Sequence, residues 1–289
     1  VAERQYVLTL ACPDSTGIVA RISTFLADLG GWILEAGYHS ETATGRFYTR
    51  QAVRASSLTI GIDELRERFG VIAGELAAER WALTDTAVPK RAVLLVSTEG
   101  HCLYELLSRW HAGMLGADVT TVIGNHPVLA PVAEMYGIPF VHVPVPAGDP
   151  AGKSAAFERI RELVDAQEPD AIVLARFMQV VPPKLCERWT GRLLNIHHGF
   201  LPSFKGARPY HQAYDRGVKM VGATCHYVTP DLDDGPIIEQ DVVRIDHTSS
   251  AADLAMRGRD IEKAVLARGL QYHLQDRVLL DGHRTVVFA

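Results

Sequence analysis

The chain has 289 residues, 47% hydrophobic and 22% charged, the proportions of a globular protein with room for one large or two modest domains. Its 29 Lys and Arg against 34 Asp and Glu leave a formal net charge of −5 with no basic run, which argues against a nucleic-acid partner. No apolar stretch approaches the roughly 20 residues of a membrane span, no leader-like segment opens the chain, and Cys12, Cys102, Cys186 and Cys225 form no CxxC pair, so reduced thiols and a cytoplasmic location are expected.

Residues 4–86 read as a βαββαβ unit. Gln5–Ala11 is strand-like, and Asp14-Ser15-Thr16-Gly17 offers helix N-caps. Ile18, Ile22, Phe25, Leu26 and Leu29 follow helical spacing, and Gly30-Gly31 stops that helix. Trp32, Leu34, Ala36 and Tyr38 alternate as in a strand, and Arg46–Val53 forms another after the Thr44-Gly45 turn. Ile62, Leu65, Phe69, Ile72 and Leu76 mark a second helix before the closing strand, Trp81–Leu83. Two helices on one face of a four-stranded antiparallel sheet is the ferredoxin-like arrangement.

Residues 87–90 form a linker, and residues 91–289 read as a second, catalytic domain. Strands at Arg91–Ser97, Ala117–Ile123, Ile138–Val143, Ala171–Leu174 and Leu193–His197 alternate with helices at His101–Ala112, Pro127–Tyr136 and Lys153–Ala166. This alternation predicts a Rossmann-like α/β domain with a mostly parallel sheet, whose ligands bind at the carboxyl ends of the strands. Beyond lie a helix near Pro209–Tyr214, strands at Gly222–Val228 and Pro236–Val243, and a long helix at Asp253–Tyr272.

The most informative segment runs from Leu193 to Gly206. Asn195 and His197, two apart at a strand end, project onto one face and can converge on one substrate atom. Downstream, His226-Tyr227-Val228-Thr229-Pro230-Asp231-Leu232-Asp233-Asp234-Gly235-Pro236 sets carboxylates in a Gly/Pro-closed loop between strands. His197, His198, His211 and His226 also invite a metal-site reading. They lack the HExxH pattern and thiolate pairs of common zinc sites, so no metal and no cofactor is expected.

From about residue 90 onward these segments resemble the folate-dependent formyltransferase family. The resemblance implies that Asn195, His197 and Asp233 are catalytic and that 10-formyltetrahydrofolate is the substrate. The segment Leu174–Val181 matches the stretch lining the family's pterin pocket, which implies substrate contacts from Phe177, Met178, Gln179 and Val181. The family often has arginine where Gln179 stands. His101 and the backbone of Asp231 complete the expected substrate-binding set.

The turn Glu99-Gly100-His101-Cys102 lacks the G-x-G-x-x-G of dinucleotide binders. It also lacks the Gly/Ser-rich turn of glycinamide ribonucleotide formyltransferases. Glu99 is expected to repel a phosphate there, and His101 and Cys102 to fill acceptor space, leaving water as acceptor. This turn and Ile123-Gly124-Asn125-His126 resemble the formyltetrahydrofolate deformylase branch. At the other end of the chain, Leu8–Ala11 followed by Cys12-Pro13-Asp14-Ser15-Thr16-Gly17 resembles the ACT domain family, and the deformylase branch places such a domain first. That resemblance implies an amino-acid effector, glycine or methionine, near Asp14 and Gly17, and a homo-oligomer, expected to be a tetramer. Two alternatives compete with hydrolysis. One is a transferase to glycinamide ribonucleotide or to methionyl-tRNA, the latter disfavoured by the acidic balance. The other is an amino-acid sensor whose catalytic domain is dead, which retention of Asn195, His197 and Asp233 opposes.

Overall fold

In the first 85 residues, a short apolar strand, β1 (Gln5–Pro13), gives way to α1 (Ile18–Asp28), β2 (Ile33–Glu41), β3 (Arg46–Arg54), α2 (Ile62–Glu75) and β4 (Arg80–Asp85). The computed structural model describes residues 3–203 and 209–289. The four strands form one antiparallel sheet in the order β2-β3-β1-β4. Leu8 and Leu10 of β1, Ile22 and Leu26 of α1, and Leu65 and Phe69 of α2 share one buried cluster. Both helices therefore cover the same sheet face, as their 3.6-residue apolar spacing requires. The expected side-chain cap of α1 is absent. The N-cap is Gly17, with φ of 95°, and its carbonyl accepts from Arg21 N at 2.8 Å. A left-handed turn that glycine adopts without strain replaces the side-chain cap.

From Lys90 the pattern changes to β5 (Lys90–Val96), α3 (His101–His111), β6 (Ala117–Gly124), α4 (Ala130–Met135), β7 (Phe140–His142), α5 (Pro150–Asp165), β8 (Ala171–Leu174), α6 (Pro183–Arg188) and β9 (Leu193–His197). Then follow α7 (Pro209–Asp215), β10 (Met220–Tyr227), β11 (Ile237–Arg244) and α8 (Ala251–Leu274). The seven-stranded sheet has the order β11-β10-β9-β8-β5-β6-β7. β9, β8, β5, β6 and β7 are parallel, and β10 and β11 add antiparallel strands at one edge. Val93 and Leu95 share a cluster with Phe157 and Ile160 of α5 and Leu185 of α6. α8 packs against β10, β11 and α3, and Gly269 lets it approach closely: a Cβ there would lie 2.6 Å from Cys225 Sγ. Burial on both faces explains why β5 reads as a continuous apolar run rather than an alternation.

Three local details differ from the sequence reading. The helix expected over Pro127–Tyr136 is a 3-10 turn, Pro127–Leu129, followed by α4. Pro131 has no N–H to give and is tolerated only in a first turn, so α4 starts beside it. α5 starts three residues earlier than expected, because Asp149 caps it by accepting from Gly152 N at 2.9 Å. The chain also ends in an unexpected hairpin, β12 (Val278–Asp281) and β13 (Arg284–Val287).

The chain divides into two compact units. Val1–Pro89, Asp276–Asp281 and Val286–Ala289 form the first; Lys90–Gln275 and Gly282–Thr285 form the second. The reading of residues 91–289 as one continuous domain thus differs from the observed division. Within the first unit, Tyr48 donates its hydroxyl to Asp281 at 2.7 Å, and Arg277 donates to Glu35 at 3.0 Å. Gly37 leaves room for the Phe288 ring, whose Cδ1 lies 2.5 Å from where a Cβ would stand. These partners lie far apart in sequence, so local patterning gave no sign of them.

Candidate active site

β8 and β9 end side by side, with Leu174 opposite Asn195. The polar groups at the end of β9 therefore sit at the carboxyl edge of the parallel sheet, where open α/β sheets bind ligands. Asn195 and His197 share one strand face, and His197 is 3% exposed. On the antiparallel side, Thr224 and His226 of β10 stand opposite His197 and Asn195. Thr224 Oγ1 donates to Gly199 O at 2.9 Å and accepts from Leu201 N at 3.1 Å. The backbone leaving His197 is held in place by these bonds. Phe204, Lys205 and Gly206, the last residues of the informative segment, lie outside the described residues.

Asp233 comes from the turn between β10 and β11. Its φ of 53° is left-handed, a region that aspartate tolerates better than most residues. Gly235 closes the turn: a Cβ there would lie 1.8 Å from Tyr227 O, so no larger residue fits. Tyr227 N donates to Pro236 O at 2.9 Å across the same neck. This geometry sets Asp233 Oδ2 3.4 Å from His197 Nδ1. The carboxylate thereby favours a proton on Nδ1.

His226 orients Asn195. Its Nδ1 lies 2.8 Å from Tyr227 O, and since a carbonyl only accepts, Nδ1 carries a proton. Burial pushes the imidazole's pKa below its usual value, so the ring stays neutral and Nε2 is an acceptor. Asn195 Nδ2, 3.1 Å away, therefore donates to Nε2 and retains a second N–H. In the sequence His226 reads as the start of the Asp233 loop and as one of the histidines inviting a metal reading, with no sign of its partnership with Asn195. Its cross-strand partnership depends on a register that no local motif encodes.

Asn195, His226 and Asp233 line a pocket of about 410 Å³. Leu174, Val180, Val181 and Val228 supply apolar wall, Gln179 a polar group, and Thr229, Pro230 and Leu232 the rim from the Asp233 loop. A few convergent polar groups against apolar walls suit a small organic ligand. Of the expected substrate-binding residues, Gln179 and Val181 line this pocket. Phe177 is 3% exposed and sits in the core, edge-on to Phe157 with ring centroids 6.4 Å apart. Met178 is 53% exposed and Asp231 is exposed, its carbonyl accepting from Thr229 Oγ1 at 3.1 Å. Neither lines the pocket. His101 is also elsewhere, 2.8 Å from Glu262 through Nε2.

Among the described residues, His101, Cys102 and Glu262 bring three metal-capable groups together. Both Glu262 oxygens already meet protein partners, and the Arg176 guanidinium lies 3.5 Å away. A cation beside a fixed guanidinium is repelled, and burial raises the Cys102 thiol well above its usual range. This donor set does not suit a metal.

Residues 90–270 match the Formyl transferase family. A formyltetrahydrofolate deformylase of Mycobacterium tuberculosis is 43% identical over 97% of this chain and 90% of that protein. The chain belongs to this deformylase family. The fold agrees: a solved formyltetrahydrofolate deformylase from Pseudomonas syringae pv. tomato superposes with a TM-score of 0.97 at 51% identity, covering 100% of this chain and 95% of that one. A glycinamide ribonucleotide transformylase from Symbiobacterium toebii shares only part of the deformylase architecture, with a TM-score of 0.66 and 28% identity over 70% of this chain and 95% of that one.

Proposed function

We propose that this chain hydrolyses the formyl group of 10-formyltetrahydrofolate to give formate and tetrahydrofolate. The observation that carries this reading is that Asn195 and Asp233 line one apolar cleft while Asp233 also contacts His197. In the proposed step, water forms a bond to the formyl carbon while its proton passes to the His197–Asp233 pair. The carbonyl oxygen becomes an oxyanion, which the free Asn195 N–H and the histidine stabilise as donors. The C–N10 bond then breaks, N10 takes the proton, and formate leaves. The cleft walls from Val180, Val181 and Val228 hold the pterin, with Gln179 as a polar contact. Released formate feeds purine synthesis, and tetrahydrofolate returns to the one-carbon pool.

In this reading the first unit is an ACT domain that regulates the second. Its βαββαβ order and the Pro13-Asp14-Ser15-Thr16-Gly17 turn support the assignment. Glycine or methionine binds near Asp14 and Gly17, in a cytoplasmic homotetramer.

Incubating the purified protein with 10-formyltetrahydrofolate alone tests the activity. Formate and tetrahydrofolate should appear in equal amounts. Consumption that requires an added amine would overturn the hydrolase reading in favour of a transferase.

A further inference from the structure

In the seven-stranded sheet the chain order reverses between β5 and β8: β6 and β7 lie on one side of β5, and β8 and β9 on the other. Such a reversal opens a crevice at the carboxyl ends of the two strands, the usual ligand site of open α/β sheets. His101 opens the helix that follows β5, and Arg176 follows β8. Both meet Glu262, from the middle of α8. Glu262 Oε2 lies 2.8 Å from His101 Nε2 and 3.5 Å from Arg176 Nε, and Oε1 accepts from the Tyr210 hydroxyl at 2.6 Å. The Glu262 side chain has no exposed surface. Burial alone would raise its carboxyl, but the His101 hydrogen bond, the Arg176 charge and Tyr210 together hold it below the usual range, hence ionised. A charged group is buried here at the switch point, and the chain's own side chains satisfy it.

The cluster reaches His197 through the ring of His198. The Tyr210 ring centroid is 5.9 Å from that of His198, which is 5.4 Å from that of His197. No member of the cluster lines the folate-side pocket. Two distinct groups of side chains therefore flank the end of β9: Asp233 with the open pocket, and the buried Glu262 cluster reached through His198. A transferase must seat a second substrate within reach of the formyl carbon. Repulsion by Glu99 does not account for its exclusion here, because Arg259, 3.3 Å away, compensates the Glu99 charge. Occupied space does account for it.

We propose that His101, locked onto Glu262 with Tyr210 and Arg176, fills the acceptor crevice and so reserves the formyl carbon for water. His101 is a specificity-determining residue for the hydrolysis. This rests on the deformylase reading. Opening the crevice lets a primary amine compete: its nitrogen bonds to the formyl carbon, the C–N10 bond breaks, and the proton lost by the amine ends on N10.

The test uses the full-length protein, 10-formyltetrahydrofolate and rising concentrations of glycinamide, a small primary amine. Folate consumed, formate released and N-formylglycinamide formed are measured separately. Wild type should give formate alone. So should His101→Gln, whose amide keeps a hydrogen bond to Glu262. His101→Gly should form at least roughly tenfold more N-formylglycinamide per folate consumed than wild type, the scale of discrimination lost when a small space opens in a site. His101→Ser serves in the same comparison if the glycine variant does not fold. A folded, active His101→Gly or His101→Ser that yields only formate overturns the proposal. So does a His101→Gln variant that diverts as much as His101→Gly, or wild type that formylates the amine. Failure of the hydrolase reading would show differently, as no folate consumption by wild type without amine.

Discussion

Asp233 Oδ2 stands 3.4 Å from His197 Nδ1: His197 ends β9, and Asp233 comes from the turn between β10 and β11 with a left-handed backbone. On the proposed reading, His197 and the second N–H of Asn195 act on the developing oxyanion. Asn195→Ala and His197→Ala should each lower kcat by at least roughly 10² while leaving folate affinity near normal, because such donors act mainly in the transition state. Asp233→Asn keeps the loop's shape and removes the charge that sets the His197 tautomer. Steady-state kinetics alongside equilibrium folate binding checks this, and near-wild-type turnover in either alanine variant would remove the residue from the mechanism.

His226 holds Asn195 by accepting from its Nδ2, and on the proposed reading that is how it serves catalysis. His226→Phe should reduce kcat on the order of 10- to 100-fold, the scale of a misplaced catalytic group, with a smaller change in KM. His226→Gln, whose amide oxygen accepts from Asn195, should recover much of the loss. Equal impairment in both variants would mean that the ring's packing matters and its acceptor nitrogen does not.

Acidification should destabilise the protein before carboxylates titrate. Burial, followed by the charge of Arg176, brings His198 down to about 3, and burial lowers His226. Unfolded histidines protonate near about 6.5, so below that pH the unfolded state binds more protons and gains on the native state. Stability is complete above about 6.5 and falls as pH drops toward the folded values, by at most about 1.4 kcal/mol per pH unit for each histidine. Glu262, whose pKa is lowered, adds a loss of the same sign once its unfolded carboxyl protonates. Melting temperatures from pH 7.5 to 5 should decline, and His198→Asn should flatten the decline. A wild-type profile level to pH 5 would contradict the neutral, buried state of these rings.

Phe177 belongs to the packing of the second unit. Phe177→Ala should cost about 3–5 kcal/mol of stability, as truncating a buried aromatic does. Denaturant unfolding measures this. If stability were unchanged and only folate affinity fell, Phe177 would be a ligand contact after all.

The effector expectation concerns Asp14 and Gly17. Glycine or methionine should release or absorb heat on binding and change the hydrolysis rate, since an effector acts only by differential affinity for two states. Calorimetry of wild type and Asp14→Ala with both amino acids decides it. Absence of heat and of any rate change with either would leave the turn as an ordinary helix entry.

Legibility followed sequence distance. Asn195 and His197 were visible because strand alternation puts i and i+2 on one face, and Asp233 because Gly235 and Pro236 mark a closed loop. Glu262 was not visible: a glutamate within the 24-residue α8 reads as one more solvated charge, and its partner His101 is 161 residues away. The same holds for His226, whose meaning comes from the β9–β10 register. Phe177 sat in a motif tied to ligand binding, and one-dimensional pattern does not tell a core ring from a pocket ring. Periodicity reports which face a residue occupies, but a buried charge is defined by groups that meet it only after folding.

The return of Asp276–Asp281 and Val286–Ala289 to the first unit bears on how the chain is made. Ribosomes deliver the N-terminal end first, so β1 to β4 emerge long before Asp281 is available to Tyr48 or Phe288 to Gly37. At about 5–20 residues per second, the intervening 190 or so residues take on the order of 10–40 s to synthesise. During that interval the nascent first unit exposes a surface that only the last residues of the chain cover. Premature termination near residue 275 would spare every residue of the proposed catalytic trio and still leave the first unit unfinished.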